Sequence, residues 1–209
     1  MVRRTKQEAD ETRESLLDAA EQVFLERGVA RASLDEVARV AGCTRGAVHW
    51  HFGDKLGLFL ALDERLLLLQ DSLCERLGCG LQPGPPLEDL ARAIAAVLRD
   101  LEHSPGRRRL LTIMLQRCEY VEEMAPALQR RREADATLRA RFLQAFQRAR
   151  TQGLLSPLWT PEQAALVLHG LMSGMVNEWL RGDAGFTLSG DACGAIRNFL
   201  ASTVAKPAI

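Results

Sequence analysis

The sequence predicts an all-α protein of about nine helices, on three observations. Apolar residues recur at helical spacing in nearly every periodic stretch, and no stretch alternates convincingly at a period of two. Glycine, proline and capping residues punctuate those stretches at intervals suited to helices. The chain of 209 residues is 47% hydrophobic and 26% charged, which is ample material for a buried core.

The elements follow in order. Leu16, Leu17, Ala20, Val23 and Phe24 form one stripe of a first helix over about residues 9–27, with Glu14, Asp18 and Glu21 facing water and Gly28 ending it. A short second helix starts at Ser33, where Ser33-Leu34-Asp35-Glu36 fits a capping box, hydroxyl and carboxylate each satisfying an orphan N–H. Its stripe is Leu34, Val37, Ala38 and Ala41. Gly42-Cys43 breaks the chain, and Thr44 caps a third helix that runs to about Phe52. Gly53-Asp54 is the next break, with Asp54 capping a helix that begins near Lys55.

That fourth helix carries leucines on all sides between Leu56 and Leu77, which implies burial on more than one side and a role as connector between domains. The segment 78–86, with three glycines and three prolines, is a loop. Further helices are expected over about 87–103, 107–117, 124–152, 161–181 and 188–204. The domain division that follows is a three-helix unit over 1–55 and a larger helical domain over 56–209.

Bulk charge decides little. Lys+Arg and Asp+Glu both number 27, so any contact with nucleic acid must come from local placement rather than from a basic surface. The five cysteines (Cys43, Cys74, Cys79, Cys118, Cys193) are scattered with no C-x-x-C pair, which argues against a disulfide framework or a zinc site and for a reducing cytosol. No stretch approaches the roughly 18 apolar residues that a membrane span needs. The basic start, Met1 to Lys6, runs into acids rather than an apolar segment and is no signal peptide. A cytoplasmic location is expected, with no cofactor.

The informative unit is 33–55. Two short helices separated by a glycine-containing turn are the plan of a helix-turn-helix, whose second helix enters the DNA major groove with its N-terminal side chains leading. Thr44 offers a hydroxyl and the positive end of a helix dipole to a phosphate. Arg45 sits where a guanidinium reaches O6 and N7 of a guanine. Gly46 lets backbone approach DNA closely. Val48 and Phe52, four apart, fix the helix to the first two, and His49, Trp50 and His51 offer N–H donors to phosphates. His49 and His51, two apart, point to different faces and are poor partners for a metal.

The string Thr44-Arg45-Gly46-Ala47-Val48-His49-Trp50-His51-Phe52-Gly53-Asp54-Lys55 resembles the signature of TetR-type repressors. Leu16-Leu17-Asp18-Ala19-Ala20, Phe24, Gly28, Ser33-Leu34, Val37-Ala38 and Ala41-Gly42 resemble their first two helices. Within that family the chain looks closest to the AcrR-like branch governing multidrug efflux operons, with later echoes in Arg117-Cys118-Glu119-Tyr120 and Asn177-Glu178-Trp179-Leu180. The resemblance implies phosphate contacts from Ser33, Thr44, His49, Trp50, His51 and Lys55, and base contacts from Arg45, Gly46 and Ala47. Three departures stand out: His49 for the usual tyrosine, Cys43 for a common valine, and Gly57 for an acidic residue, the last expected to loosen the start of the fourth helix.

From Met1 to Lys55 there are nine Lys/Arg and ten Asp/Glu. The acids concentrate on the first helix, away from DNA in this plan, while Arg3, Arg4 and Lys6 lie in an arm that could track a groove.

Past Pro86 the sequence shows surfaces rather than motifs. Leu90, Ile94, Val97 and Leu101 form one stripe, and Leu128, Leu138, Phe142 and Phe146 another. Met114, Met172 and Met175 are adaptable apolar surface of the kind promiscuous sites use. The resemblance implies ligand-pocket walls at Leu66, Val97, Met114, Leu138, Phe142, His169, Met172, Ser173 and Asn177, with Ser173 and Asn177 as polar handles. Arg107-Arg108-Arg109 and Arg130-Arg131-Arg132 read as solvated faces. The last two helices resemble a pair that forms a homodimer interface, with Gly170, Ser173, Gly174, Gly194 and Ala195 permitting close approach. The expected function is a repressor released from a palindromic operator by a small apolar ligand. Two alternatives stand beside it: a thiol-based regulator sensing through Cys43 or Cys193, and a small all-α enzyme, for which His103 and His169 lack adjacent acid or nucleophile patterns.

Overall fold

The computed structural model describes residues 6–78, 85–182 and 185–205. Nine α-helices lie among them: α1 (Lys6–Arg27), α2 (Leu34–Val40), α3 (Arg45–Phe52), α4 (Lys55–Gly78), α5 (Pro86–His103), α6 (Pro105–Gln116), α7 (Ala125–Thr151), α8 (Pro161–Leu180) and α9 (Cys193–Thr203). A 3-10 turn, Glu122–Met124, precedes α7, and a π-helical turn, Leu188–Ala192, leads into α9. The all-helical expectation holds, with one isolated bridge between Leu155 and Val204. Arg3, Arg4 and loop residues 79–84 fall outside the described residues, as do the side chains of Leu67, Leu68, Leu69, Leu73 and Leu77.

Two compact units form. The first comprises Met1–Leu69 with Gly106–Gln129, and the second Gln70–Pro105 with Arg130–Ile209. In the first, the α1 stripe of Leu16, Leu17, Ala20, Val23 and Phe24 is buried against Val37 and Ala38 of α2, Val48 of α3, and Leu58, Phe59, Leu62 and Leu66 of α4. Leu110, Ile113 and Met114 of α6 close the same core, so α6 shares its apolar face with α1, α2, α3 and the first half of α4. The backbone joins in: Val29 N–H donates to the Arg117 carbonyl at 2.8 Å, across the chain reversal that ends α1. Tyr120 donates its hydroxyl to the Met114 carbonyl at 2.7 Å while its ring meets Phe59 edge-on.

Glu21 departs from the helical-wheel expectation. It does not face water but is buried, and Arg109 of α6 donates to its carboxylate. Arg109 stays on a solvated face, half exposed, and reaches inward to that one carboxylate. The 3.6 period places Glu21 beside the stripe, and the apolar α6 covers that flank, so the carboxylate is taken out of water and needs a cation.

In the second unit α5 buries Leu87, Leu90, Ile94, Leu98 and Leu101, with Val97 only half-buried. Phe142, Phe146 and Ala149 of α7, Leu168 and Trp179 of α8, and Ile196 and Leu200 of α9 complete that core. α8 begins with a full capping box, Thr160 and Gln163 bonding each other's backbone N–H at 3.2 Å. Glu102 of α5 caps the π turn, accepting from Leu188 N–H at 2.9 Å and Ser189 N–H at 3.0 Å.

Candidate nucleic-acid interface

The candidate surface, over α2 and α3, is built from local bonds. Ser33 Oγ accepts from Glu36 N–H at 3.1 Å and starts α2. Only this hydroxyl half of the expected box forms, because the Glu36 carboxylate lies 3.3 Å from Arg27 Nε instead. The chain then turns at Gly42, whose φ of 65° is in the left-handed region that a side chain disfavours. Cys43 N–H donates to the Ala38 carbonyl at 2.9 Å, which sets the angle between α2 and α3. Thr44 Oγ1 accepts from Ala47 N–H at 3.2 Å. Each capping hydroxyl keeps its own proton to donate outward.

α3 is held by one face. Val48 is fully buried, worth about 1.5–2 kcal/mol of apolar transfer, and Phe52 packs against the same core with the Arg13 guanidinium over its ring. The opposite arc, Arg45, Gly46, His49 and Trp50, is exposed, and Trp50 is 71% accessible. A bare tryptophan at that level is expensive in water and suits a surface that another molecule covers. Ala47 and His51 are half-buried beside it.

Arg45, His49 and Lys55, all expected contact residues, are already engaged within the protein. Arg45 Nη1 donates to Asp35 Oδ2 of α2 at 3.1 Å, and its Nε donates to His49 Nε2 at 3.4 Å. Lys55, only 17% exposed, donates from Nζ to the Ala30 carbonyl at 3.2 Å and lies 3.4 Å from Glu123. It thereby pins the α1–α2 loop to the start of α4. Sequence reasoning missed Asp35 and Glu123, since a partner ten or more residues away leaves no periodic signal.

Gly57 reverses an expectation. Its N–H donates to Asp54 Oδ1 at 2.7 Å, and a Cβ built on it would stand 2.0 Å from the Phe52 carbonyl oxygen. The glycine lets the end of α3 sit directly on the first turn of α4, so it tightens that junction rather than loosening it.

The residues named for a ligand pocket fall in both compact units. Leu66 and Met114 are core residues of the first. Val97, Leu138, Phe142, His169, Met172, Ser173 and Asn177 belong to the second, where Phe142 is fully buried and the others are half-buried. Asn177 Nδ2 donates to the Ser173 carbonyl at 3.3 Å, one turn back on α8. His169 Nε2 is buried with no hydrogen bond among the described residues.

The family pattern of bacterial regulatory proteins, tetR family, matches residues 16–62, and that of the MAATS-type transcriptional repressor C-terminal region matches 85–204. The HTH-type transcriptional repressor BepR of Brucella suis is 42% identical over 187 residues, covering 90% of this chain and 89% of BepR. NalD, the secondary repressor of the MexAB-OprM multidrug efflux pump in Pseudomonas aeruginosa, superposes with a TM-score of 0.84 at 34% identity, covering 97% of this chain and all of that one. SmeT in complex with triclosan gives a TM-score of 0.80 at 30% identity over 94% of this chain and 93% of SmeT. Helix-turn-helix, exposed arc of α3 and both matched regions agree: the chain belongs to the TetR family of transcriptional regulators, as a repressor homologous to those of multidrug efflux pumps.

Proposed function

We propose that this repressor binds a palindromic operator as a homodimer, through residues 1–55, and is released when a small apolar ligand enters the domain over 56–209. The observation that carries the DNA half is the exposed arc of Arg45, Gly46, His49 and Trp50 above a fully buried Val48, opened by the Thr44 cap. Ser33, Thr44, Trp50, His51 and Lys55 then take phosphates and Arg45, Gly46 and Ala47 face bases, while both ring nitrogens of His49 are already engaged, by Arg45 Nε and the Gly53 carbonyl. The enzyme alternative falls with the family, whose members are regulators. No helix among the described residues is long and apolar enough to cross a membrane, and the repressor works where the DNA is, in the cytoplasm.

The dimer reading rests on α8. Leu166 and Val167 are 58% and 42% exposed, and Gly170 and Gly174 continue the same face with nothing within 4 Å of a built Cβ. Apolar side chains beside bare glycines suit the close approach of a second helix, and a two-fold pairing would set two reading heads about 34–36 Å apart. The ligand reading is supported by the orphaned His169 Nε2, a buried polar atom that a ligand hydroxyl would satisfy, and by the triclosan held by SmeT.

Fluorescence anisotropy with duplexes from upstream of the gene tests the whole reading. Binding should prefer one palindromic duplex, weaken steeply with salt, and be reversed by triclosan or related apolar phenols. Equal binding to all duplexes would sink the DNA half. Tight operator binding untouched by an apolar library would sink the ligand half alone. Light scattering should give a dimer that L166E converts to monomer.

A further inference from the structure

We propose that Asp35 and His49 are positioning residues for base reading: together they hold the Arg45 guanidinium in one orientation before DNA arrives. The proposal rests on α3 being the reading helix. It assigns the discrimination at one base pair to three side chains rather than to Arg45 alone.

Three bonds form a continuous chain across the motif. Asp35 Oδ2, on α2, accepts from Arg45 Nη1 at 3.1 Å. Arg45 Nε meets His49 Nε2 at 3.4 Å. His49 Nδ1 lies 2.6 Å from the Gly53 carbonyl, in the turn that ends α3. A carbonyl only accepts, so Nδ1 carries the proton of the neutral ring and Nε2 presents a lone pair. That lone pair is what Arg45 Nε–H requires, so the ring tautomer is dictated from Gly53 and passed on to the arginine.

The geometry leaves a defined reading edge. A guanidinium has five N–H donors; one goes to Asp35 and one to His49, and the rest remain for O6 and N7 of a guanine. A free arginine would give up many rotamers on reaching a base, and a held one gives up few. A base offering the wrong pattern would have to be met by breaking a bond already made.

Stability does not account for the pair. Asp35 and Arg45 are both well exposed, and exposed ion pairs contribute little to folding. A carboxylate on a surface that meets phosphates also weakens binding to any DNA. Asp35 therefore acts against general affinity, and what it supplies is orientation. Tyrosine, usual at position 49 in the resembling family, would offer no ring lone pair to Arg45 Nε–H; the histidine does.

Selection from a random double-stranded library by the full-length protein, followed by sequencing, measures preference at each base position. Anisotropy with an unrelated duplex measures sequence-independent binding. The unaltered protein should recover a palindrome with one guanine in each half that R45A no longer selects. D35N and H49F should lower preference at that same position by about tenfold while leaving the other positions unchanged. D35N should also bind the unrelated duplex more tightly, and D35E should restore the preference. Where H49F melts early, H49Q, whose amide oxygen accepts from Nε–H, should keep the guanine.

The proposal is overturned if D35N and H49F select the guanine as strongly as the unaltered protein, or if their losses spread evenly over all positions. A clear palindrome indifferent to R45A also overturns it while leaving α3 as the reading helix. Recovery of no motif at all by the unaltered protein removes the reading-helix assignment, and this proposal with it.

Discussion

The Glu21 carboxylate of α1 is 9% exposed and receives the guanidinium of Arg109, from α6, which is 88 positions along the chain. Arg65 of α4 stands 3.8 Å from the same carboxylate, hydrogen-bonds Asp18 at 2.6 Å and lies 3.4 Å from Glu14. Burial alone would lower the Arg65 guanidinium, but the Asp18 hydrogen bond and the charges of Asp18, Glu14 and Glu21 hold it above its ordinary value. Three acids on one flank of α1 are thus bound by two arginines from α4 and α6, the helices that share its core.

Removing Arg109 leaves a buried carboxylate with Arg65 as its more distant partner. R109A should therefore destabilise the protein by about 1–3 kcal/mol, less than for a fully buried pair because the guanidinium is half exposed. The double variant R109A/E21Q should recover part of that loss, since the stranded charge goes with it. Urea unfolding followed by circular dichroism gives both numbers. A midpoint for R109A equal to the unaltered protein's would show that Glu21 does not depend on this pair.

Much of the architecture was legible because it is local. The α1 stripe, the Ser33 and Thr44 caps, Gly42 in the turn and Val48 as the anchor of α3 are all set by residues within one or two turns of each other. Glu21, Arg109, Lys55 and Asp35 were misread or incomplete for the opposite reason. Their partners come from other elements, and a helical wheel knows only its own helix. Gly57 was misjudged by helix propensity, which counts the loss of a side chain and ignores that the Phe52 carbonyl occupies its place. The presumed pocket residues carried no signal beyond apolar periodicity, which core and pocket walls share.

Gly57 gives the cleanest contradiction of propensity. Within an exposed helix, alanine for glycine usually stabilises by about 1 kcal/mol. Here a Cβ would meet a backbone oxygen at 2.0 Å, and backbone cannot rotate aside as a flexible side chain can. G57A should destabilise by about 1–3 kcal/mol, on the scale of an overpacked core, and should displace the end of α3 from α4. The readout is a thermal melt alongside operator binding. An equal or higher melting temperature for G57A would refute the close approach.

Glu102 couples the second unit to pH. Hydrogen bonds from Ser189, with a further one from Leu188, hold its carboxyl below the ordinary glutamate value against the opposing pull of burial. A carboxyl depressed in the folded state contributes stability in full above its unfolded value and loses it as pH falls through the folded one. E102Q should melt below the unaltered protein at neutral pH, with the difference shrinking as pH is lowered through about 4 and below. A difference that stays constant between pH 7 and pH 3 would mean that the bonds to the π turn do not depend on ionisation.

Cys193 decides the thiol-sensor alternative. The residue is buried at the start of α9, and burial pushes its thiol above the ordinary cysteine value, with Glu102 adding to the rise and Arg197 and Arg99 only partly opposing it. Oxidants and maleimides react with the thiolate, which is scarce at neutral pH in such a group. Native protein should therefore label at Cys193 far more slowly than unfolded protein, and the rate should climb as pH is raised. Cys43 is half-buried in the turn before α3, its sulfur 3.6 Å from the Ala41 carbonyl. If ligand rather than redox state governs release, C43S and C193S should bind the operator as the unaltered protein does, and peroxide should leave all three on the DNA. Release by peroxide that C193S abolishes would instead establish a sensing thiol, and would require α9 to open far enough to admit the oxidant.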